Sequence, residues 1–175
     1  MRRIRYSVAV SLDGYIAGPR GEFDWIVMDP EMDFRALSDQ FDTYLLGRKT
    51  FEVTGQGQSS MPGVRTFVFS RTLRQRDYKN VTIVGENWKE VVKSLREEAG
   101  KDIWLFGGGS LFRSLAEAGV VDTVEVAVIP TILGGGIPLV APPASRIGLT
   151  LKEHRVYEKT GTVSLVYSVD HSVRR

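Results

Sequence analysis

The stretch Lys101–Leu115, KDIWLFGGGSLFRSL, decides how the chain is read. Ile103-Trp104-Leu105-Phe106 is a short apolar run, the length of a strand buried on both faces. It stops at Gly107, Gly108 and Gly109. Ser110 then stands as N-cap of an amphipathic segment with Leu111, Phe112 and Leu115 at helical spacing. Strand, glycine turn and helix together present backbone amides and a helix N-terminus to an anion, and glycine lets phosphate approach the backbone. The same pattern also describes a tight connection that binds nothing, so on this stretch alone both readings stand.

Moving outward, other strand ends carry similar chemistry. Tyr44-Leu45-Leu46 reads as a buried strand, followed by Gly47-Arg48-Lys49-Thr50 and a helical turn at Phe51-Glu52-Val53. Thr66–Phe69 is another strand and ends at Ser70-Arg71. Two cations with a hydroxyl at the first junction, and an arginine beside a serine at the second, suit phosphate oxygens. In open α/β sheets ligands bind at the carboxyl ends of strands. Three such ends on one rim would cradle a dinucleotide, and Arg71 would answer a 2′-phosphate, favouring NADP over NAD. The spacing differs from Gly-x-Gly-x-x-Gly after a first strand, which disfavours an ordinary Rossmann domain.

The remaining elements follow from periodicity. Ile4–Val10 alternates as a strand; Ser11–Asp24, with Gly14, Gly18, Pro19 and Gly21, reads as a loop bearing Ile16 and Phe23, with Trp25 just beyond it. Pro30 is expected to start a helix capped by Asp29, with Phe34, Leu37 and Phe41 on one side. Val81–Val84 is a strand and Trp88–Glu98 a helix with Val91, Val92 and Leu95 inward. Val121–Ile129 is a strand closed by Pro130, and a glycine- and proline-bearing loop follows. Leu149–Tyr157 and Thr162–Val169 form an antiparallel hairpin. Val163, Leu165, Val166, Tyr167 and Val169 make its second strand apolar on both faces, hence buried in the sheet or covered by a partner. Residues 1–175 make one α/β domain.

Composition narrows the chemistry. At 175 residues, 42% hydrophobic and 25% charged, the chain is an ordinary globular domain with room for one core. A net charge of +2 does not call for a polyanionic partner; Arg2, Arg3, Arg5, Arg174 and Arg175 read as solvated tails rather than a nucleic-acid patch. There is no cysteine, so thiolate nucleophiles, disulfides and Cys-ligated zinc are excluded. His154 and His171 stand outside any metal-ligand spacing, and no metal is expected. No membrane-length apolar run or signal-peptide core is present, so the expected place is the cytoplasm.

Taken together, Ser11–Ala17, Leu46–Glu52, Phe69–Arg71, Phe106–Ser110 and Ile129-Pro130 with Leu133–Gly136 resemble the dihydrofolate reductase-like superfamily. More narrowly they are similar to the reductase family that includes the C-terminal domain of the bifunctional riboflavin-biosynthesis protein. The resemblance implies an α/β three-layer domain: a mixed, mainly parallel sheet with helices on both faces and a C-terminal antiparallel hairpin. It implies NADPH as cofactor, with Gly47, Arg48, Lys49 and Thr50 at phosphates and Ser70 and Arg71 at the 2′-phosphate. Gly107, Gly108, Gly109, Ser110 and Leu111 would lie at the pyrophosphate, Ala9, Ile16 and Ala17 beside the nicotinamide. It also suggests a cis Gly107–Gly108 peptide and a homodimer. The reaction implied is hydride transfer to a small pterin-like or pyrimidine-like heterocycle, of the dihydrofolate reductase or 5-amino-6-(5-phosphoribosylamino)uracil reductase type.

Folate reductases place an acid in the first helix after a loop tryptophan, here Trp25. Asp33 with Phe34 and Leu37 reproduces that grouping, and Glu31 is the rival acid by gapless counting from Gly47. A carboxyl sunk in an apolar pocket there would have a raised pKa and could handle a proton. Ala127 stands where folate reductases keep threonine, and Phe112 where they carry tyrosine. The deaminase motifs His-x-Glu and Pro-Cys-x-x-Cys are absent, which points to a stand-alone reductase. Two other readings compete: a non-catalytic NADP(H)-binding protein, and an interaction module whose glycine clusters are only turns.

Overall fold

Residues 1–54 and 63–171 are described in a computed structural model; Arg174 and Arg175 lie outside them. The sheet holds β1 (Ile4–Ser11), β3 (Phe41–Gly47), β4 (Arg65–Phe69), β5 (Thr82–Val84), β6 (Asp102–Gly107), β7 (Thr123–Ile129), β9 (Gly148–Tyr157) and β10 (Thr162–Asp170). Their spatial order is β5-β4-β3-β6-β1-β7-β10-β9. The first six run parallel, while β10 is antiparallel to β7 and β9 antiparallel to β10. The helices are α1 (Phe34–Ser38), α2 (Arg48–Val53), α3 (Trp88–Glu97) and α4 (Gly109–Glu117).

Alternation along β6 divides the core. Ile103 and Leu105 point to one face and are fully buried with Ile4, Tyr6 and Leu45, under Val92 and Leu95 of α3 and Leu111, Phe112 and Leu115 of α4. Each such side chain contributes about 1.5–3 kcal/mol by leaving water. Trp104 and Phe106 point the other way, where Tyr44 and Phe106 join Phe51 of α2, Leu46, Val68 and Val81, and where Phe34 of α1 meets the Trp104 ring at 5.8 Å. Helices therefore cover both faces, giving the three-layer α/β architecture with its C-terminal hairpin.

Right-handed crossovers explain which helix goes where. The chain steps from β3 to β4 in one direction with α2 on one face. It steps from β5 to β6 and from β6 to β7 in the other direction with α3 and α4 on the opposite face. The connections leaving β3 and β6, adjacent in the sheet, thus diverge, and a crevice opens at their carboxyl ends.

Four expectations are corrected. Helix α4 is capped by Gly108 and not Ser110, because the helix begins one residue earlier, at Gly109, a position that admits only glycine since a Cβ there would overlap the Pro138 carbonyl. Helix α1 starts at Phe34 with Asp33 as N-cap, not at Pro30. Asp29 instead closes a turn, its Oδ1 accepting from the Glu31 amide at 2.9 Å, and Phe41 opens β3. The segments read as loops contain a second small sheet, β2 (Tyr15–Ala17) with β8 (Ile137–Pro138). Finally, Arg2 and Arg5 are buried rather than solvated. Arg2 pairs with Asp42, and Arg5 grips Glu125 through Nε at 2.6 Å and Nη2 at 2.9 Å. A buried guanidinium without such a partner would carry a desolvation cost of several kcal/mol.

Candidate functional site

The crevice between β3 and β6 brings distant residues within van der Waals range. A Cβ built on Gly47 would lie 3.7 Å from the Gly108 amide nitrogen, 3.8 Å from the Gly107 carbonyl and 3.9 Å from Leu111 Cβ. One built on Gly108 would lie 3.3 Å from Thr50 Oγ1 and 3.9 Å from Ile16 Cδ1. Gly47, Thr50, Gly107, Gly108, Leu111 and Ile16 therefore meet at one place, where Gly47 and Gly108, without side chains, are only half-buried. The Gly107–Gly108 peptide is cis, and Gly107 takes a φ of +132°, which favours glycine.

Loops after β1 and β7 wall this crevice and are stitched together. Asp13 accepts from the Ser11 hydroxyl at 2.6 Å and from the amides of Leu133 at 3.1 Å and Gly134 at 2.8 Å. The Ser11 bond, then those two amides, hold its carboxyl below the usual carboxylate range. Leu12 donates to the Thr131 carbonyl and Leu139 to the Gly14 carbonyl. Tyr15 and Ala17 pair with Pro138 and Ile137, and the Ala17 carbonyl lies against Gly136, while the neighbouring Ile16 reaches Gly108. Tyr6 stacks on Phe112 at 4.1 Å and donates to the Leu139 carbonyl at 3.1 Å, holding α4 and the loop in register. Burial pushes its phenol up.

Along the same rim, Gly47 and Phe69 are register partners, so Ser70 and Arg71 follow one strand over from β3, about 10 Å from β6 by two strand spacings. The Ser70 hydroxyl accepts from the amides of Thr72 and Leu73, forming a tight turn from which Arg71 projects exposed. Arg48 is exposed and reaches Glu52 at 3.4 Å; Lys49 is exposed. Ser110 lies in the first turn of α4 and is exposed. Ala9 is half-buried opposite Ala127, on the sheet face that carries Trp104.

The substrate-side residues are less gathered. Asp33 Oδ1 accepts from the Ala36 amide at 2.8 Å, and Glu31 lies 3.5 Å from Arg155 and 3.4 Å from Lys159. Both acids are exposed, so the expected carboxyl sunk in an apolar pocket is not found: Asp33 is held at the helix start as N-cap of α1, and Glu31, two residues earlier, is held by Arg155 and Lys159. Phe34 and the half-buried Leu37 lie on α1, and Trp25 donates to the Glu22 carbonyl at 3.1 Å.

Three features escaped the sequence reading. Asp29, buried, ties the loop before α1 to the β9–β10 turn, accepting from Thr160 Oγ1 at 2.9 Å. The Glu31 amide, first, and Thr160 hold it below the usual carboxylate range. Its only local signal was Asp-Pro. Asp13 sat in an Asp-Gly turn whose distant partners no spacing reveals. Trp104, ringed by Phe34, Phe41, Tyr44 and Phe106, looked like any core tryptophan. Among the described residues no group of histidine and carboxylate side chains could hold a metal ion, and no helix is long and apolar enough to cross a membrane.

Comparisons with known proteins agree with this fold. Bacillus subtilis YyaP is 37% identical over 179 residues, covering 95% of this chain and 94% of its own. A solved structure from Shewanella sp. PV-4 superposes with a TM-score of 0.80 at 24% identity, covering 98% of this chain and all of that one. Enterococcus faecalis dihydrofolate reductase, complexed with NADP(H), superposes with a TM-score of 0.70 at 18% identity, covering 96% of each. Residues 2–163 match the family described as the RibD C-terminal domain, and the chain belongs to that family.

Proposed function

We propose that this protein is an NADPH-dependent reductase that reduces a small pterin-like or pyrimidine-like heterocycle. The observation that carries the reading is the meeting of Gly47, Thr50, Gly107, Gly108 and Ile16 at the point where the connections from β3 and β6 diverge. The residues fit the cofactor. Backbone is half-exposed at Gly47 and Gly108, the Thr50 hydroxyl lies beside Gly108, and cations stand at neighbouring strand ends. Family membership and the likeness to an NADP(H)-bound reductase support the same cofactor.

In this reading Gly107–Leu111 hold the pyrophosphate against the first turn of α4, while Arg48, Lys49 and Thr50 meet phosphate oxygens. Ser70 and Arg71 take the 2′-phosphate. Ala9, Ile16 and Ala17 border the nicotinamide, which when bound supplies the hydride. Trp25, Phe34 and Leu37 contact the heterocycle and exclude water. Asp33 or Glu31 holds the proton delivered to the substrate. The test is NADPH oxidation followed by absorbance against pterins, folates and ribosylamino-pyrimidinones, with NADH alongside; absence of turnover with every compound overturns the reductase reading.

A second reading has its own support. Both candidate acids are exposed and engaged, Asp33 by its helix and Glu31 by Arg155 and Lys159. A non-catalytic NADP(H)-binding protein of the same fold would show tight NADPH binding with no substrate-dependent oxidation. NADPH that fails to bind at all would leave the interaction-module reading. Cytoplasmic location belongs to the proposal as well.

A further inference from the structure

The tip of the β9–β10 hairpin grips a segment far away in sequence. Its turn, residues 158–161, closes through the Gly161 amide, which donates to the Tyr157 carbonyl at 2.8 Å. The turn brings Lys159 and Thr160 to the loop before α1. The Thr160 hydroxyl donates to Asp29 Oδ2 at 2.9 Å, across 131 positions. The same hydroxyl is hydrogen-bonded at 2.9 Å to that of Thr162, which is fully buried. Asp29 is only 3% exposed, and its other oxygen accepts from the Glu31 amide at 2.9 Å.

The segment so held carries both acids of the reaction. Glu31 is paired with Arg155 and Lys159, and the Arg155 guanidinium lies 4.6 Å from the centre of the Tyr157 ring. These ion pairs are exposed and add little by themselves. A buried carboxylate that loses a donor is the costlier break, so the bond between Asp29 and Thr160 is the one that holds. Beyond it, the Met32 amide donates to the Asp29 carbonyl at 2.9 Å and the Phe34 amide to the Met32 carbonyl at 3.0 Å, and Asp33 caps α1. Register fixes where the segment hangs. Arg155 pairs with Ser164, Ser164 with Ala127 and Ala127 with Ala9, so the four form one row across β9, β10, β7 and β1 on one face of the sheet. Arg155 thus stands about 14 Å from Ala9, three strand spacings along that row.

We propose, on the basis of the reductase reading above, that Asp29 and Thr160 are positioning residues for heterocycle reduction. Their bond fixes the acid-bearing segment over the row that leads to Ala9. Neither residue handles the proton itself. A proton donor has to stand within hydrogen-bond reach of the atom it serves. Displacing a reacting group by about 1 Å costs on the order of 100-fold in rate. Helix α1 cannot hold that position unaided: it is five residues long and buries none of them, and a helix so short is marginal in water. The hairpin tip supplies the rigidity that α1 lacks.

Thr160→Val keeps the side-chain shape and removes the hydroxyl, whereas Thr160→Ser keeps the hydroxyl. Amide hydrogen exchange on the full chain is measured beside steady-state turnover and NADPH titration. In Thr160→Val the Glu31, Met32 and Ala36 amides should exchange at least about tenfold faster, with the amides of α3 unchanged. The same variant should lose at least about tenfold in kcat while its Kd for NADPH stays within about twofold. Thr160→Ser should restore both. Unchanged exchange in Thr160→Val overturns the clamp. Faster exchange with unchanged kcat, or Thr160→Ser as impaired as Thr160→Val, overturns the positioning role. A loss of NADPH affinity as large as the loss in kcat marks a general disruption and overturns it too. A wild type that turns over no heterocycle overturns the reductase reading and the positioning role with it; exchange, which needs no turnover, tells that failure from failure of the clamp.

Discussion

Gly108 and Gly109 are neighbours with opposite tasks. A methyl at Gly108 would press on Thr50 Oγ1 at 3.3 Å and occupy the bare backbone of the crevice, but its extended conformation suits any residue. Gly108→Ala is therefore expected to cost at least tenfold in NADPH affinity, about 1.4 kcal/mol, with little change in melting temperature. Titration calorimetry and a thermal melt read the two effects separately. Gly109→Ala would force its methyl into the Pro138 carbonyl and is expected to destabilise the fold by about 1–3 kcal/mol. Asp33 invites a similar separation. Asparagine caps a helix as well as aspartate does, so Asp33→Asn should keep stability within about 0.5 kcal/mol while removing the acid. A drop in kcat assigns the proton to Asp33; unchanged kcat with a drop in Glu31→Gln assigns it to Glu31.

At the scale of elements, two aspartates stitch loops that carry the crevice wall and the substrate side. Asp13 ties the loop after β1 to the loop after β7, and Asp29 ties the loop before α1 to the β9–β10 turn. Both carboxyls are held below the usual range by hydrogen bonds to their charged forms. A depressed native pKa adds stability that is complete above the unfolded value, near 3.8, and is lost as pH falls through the native value. The stability difference between wild type and Asp13→Asn should therefore be flat from pH 6 to 8 and shrink below about pH 4. Denaturant melts across that range measure it; a difference that changes between pH 6 and 8 would point to another group. The short α1 belongs to this scale too. Asp29-Pro30 satisfies every local rule for a helix start, but Asp29 is drawn to Thr160, 131 positions away, and the helix forms only after it.

Across the whole molecule, the crevice is a property of strand order. Placing β6 between β3 and β1 makes the junctions at Gly47 and Gly107 adjacent, and placing β4 beside β3 sets Arg71 on the same rim. A ligand spanning these strand ends should stabilise the entire sheet. NADPH at one hundred times its dissociation constant adds about 2.7 kcal/mol, a rise of about 5–10 °C in Tm for a chain of this length. Arg71→Ala should shrink that rise for NADPH and leave the NADH rise unchanged, read by parallel thermal-shift titrations. Equal losses for both cofactors would remove Arg71 from the 2′-phosphate.

Strand, glycine turn and helix at Lys101–Leu115, the strands at Tyr44–Leu46 and Thr66–Phe69, and the final hairpin were legible in the chain by itself. Their determinants, apolar periodicity and glycine or polar stops, act between residues a few positions apart. Order along the sheet, and with it the meeting of Gly47, Gly108 and Ile16, was decided only by tertiary structure, because strand pairing is set by long-range burial that no local pattern encodes. The same holds for charge. Arg5, 120 positions from Glu125, looked like a solvated residue until parallel β1 and β7 buried the two side by side, while Asp33 looked like a pocket acid until α1 left it on the surface.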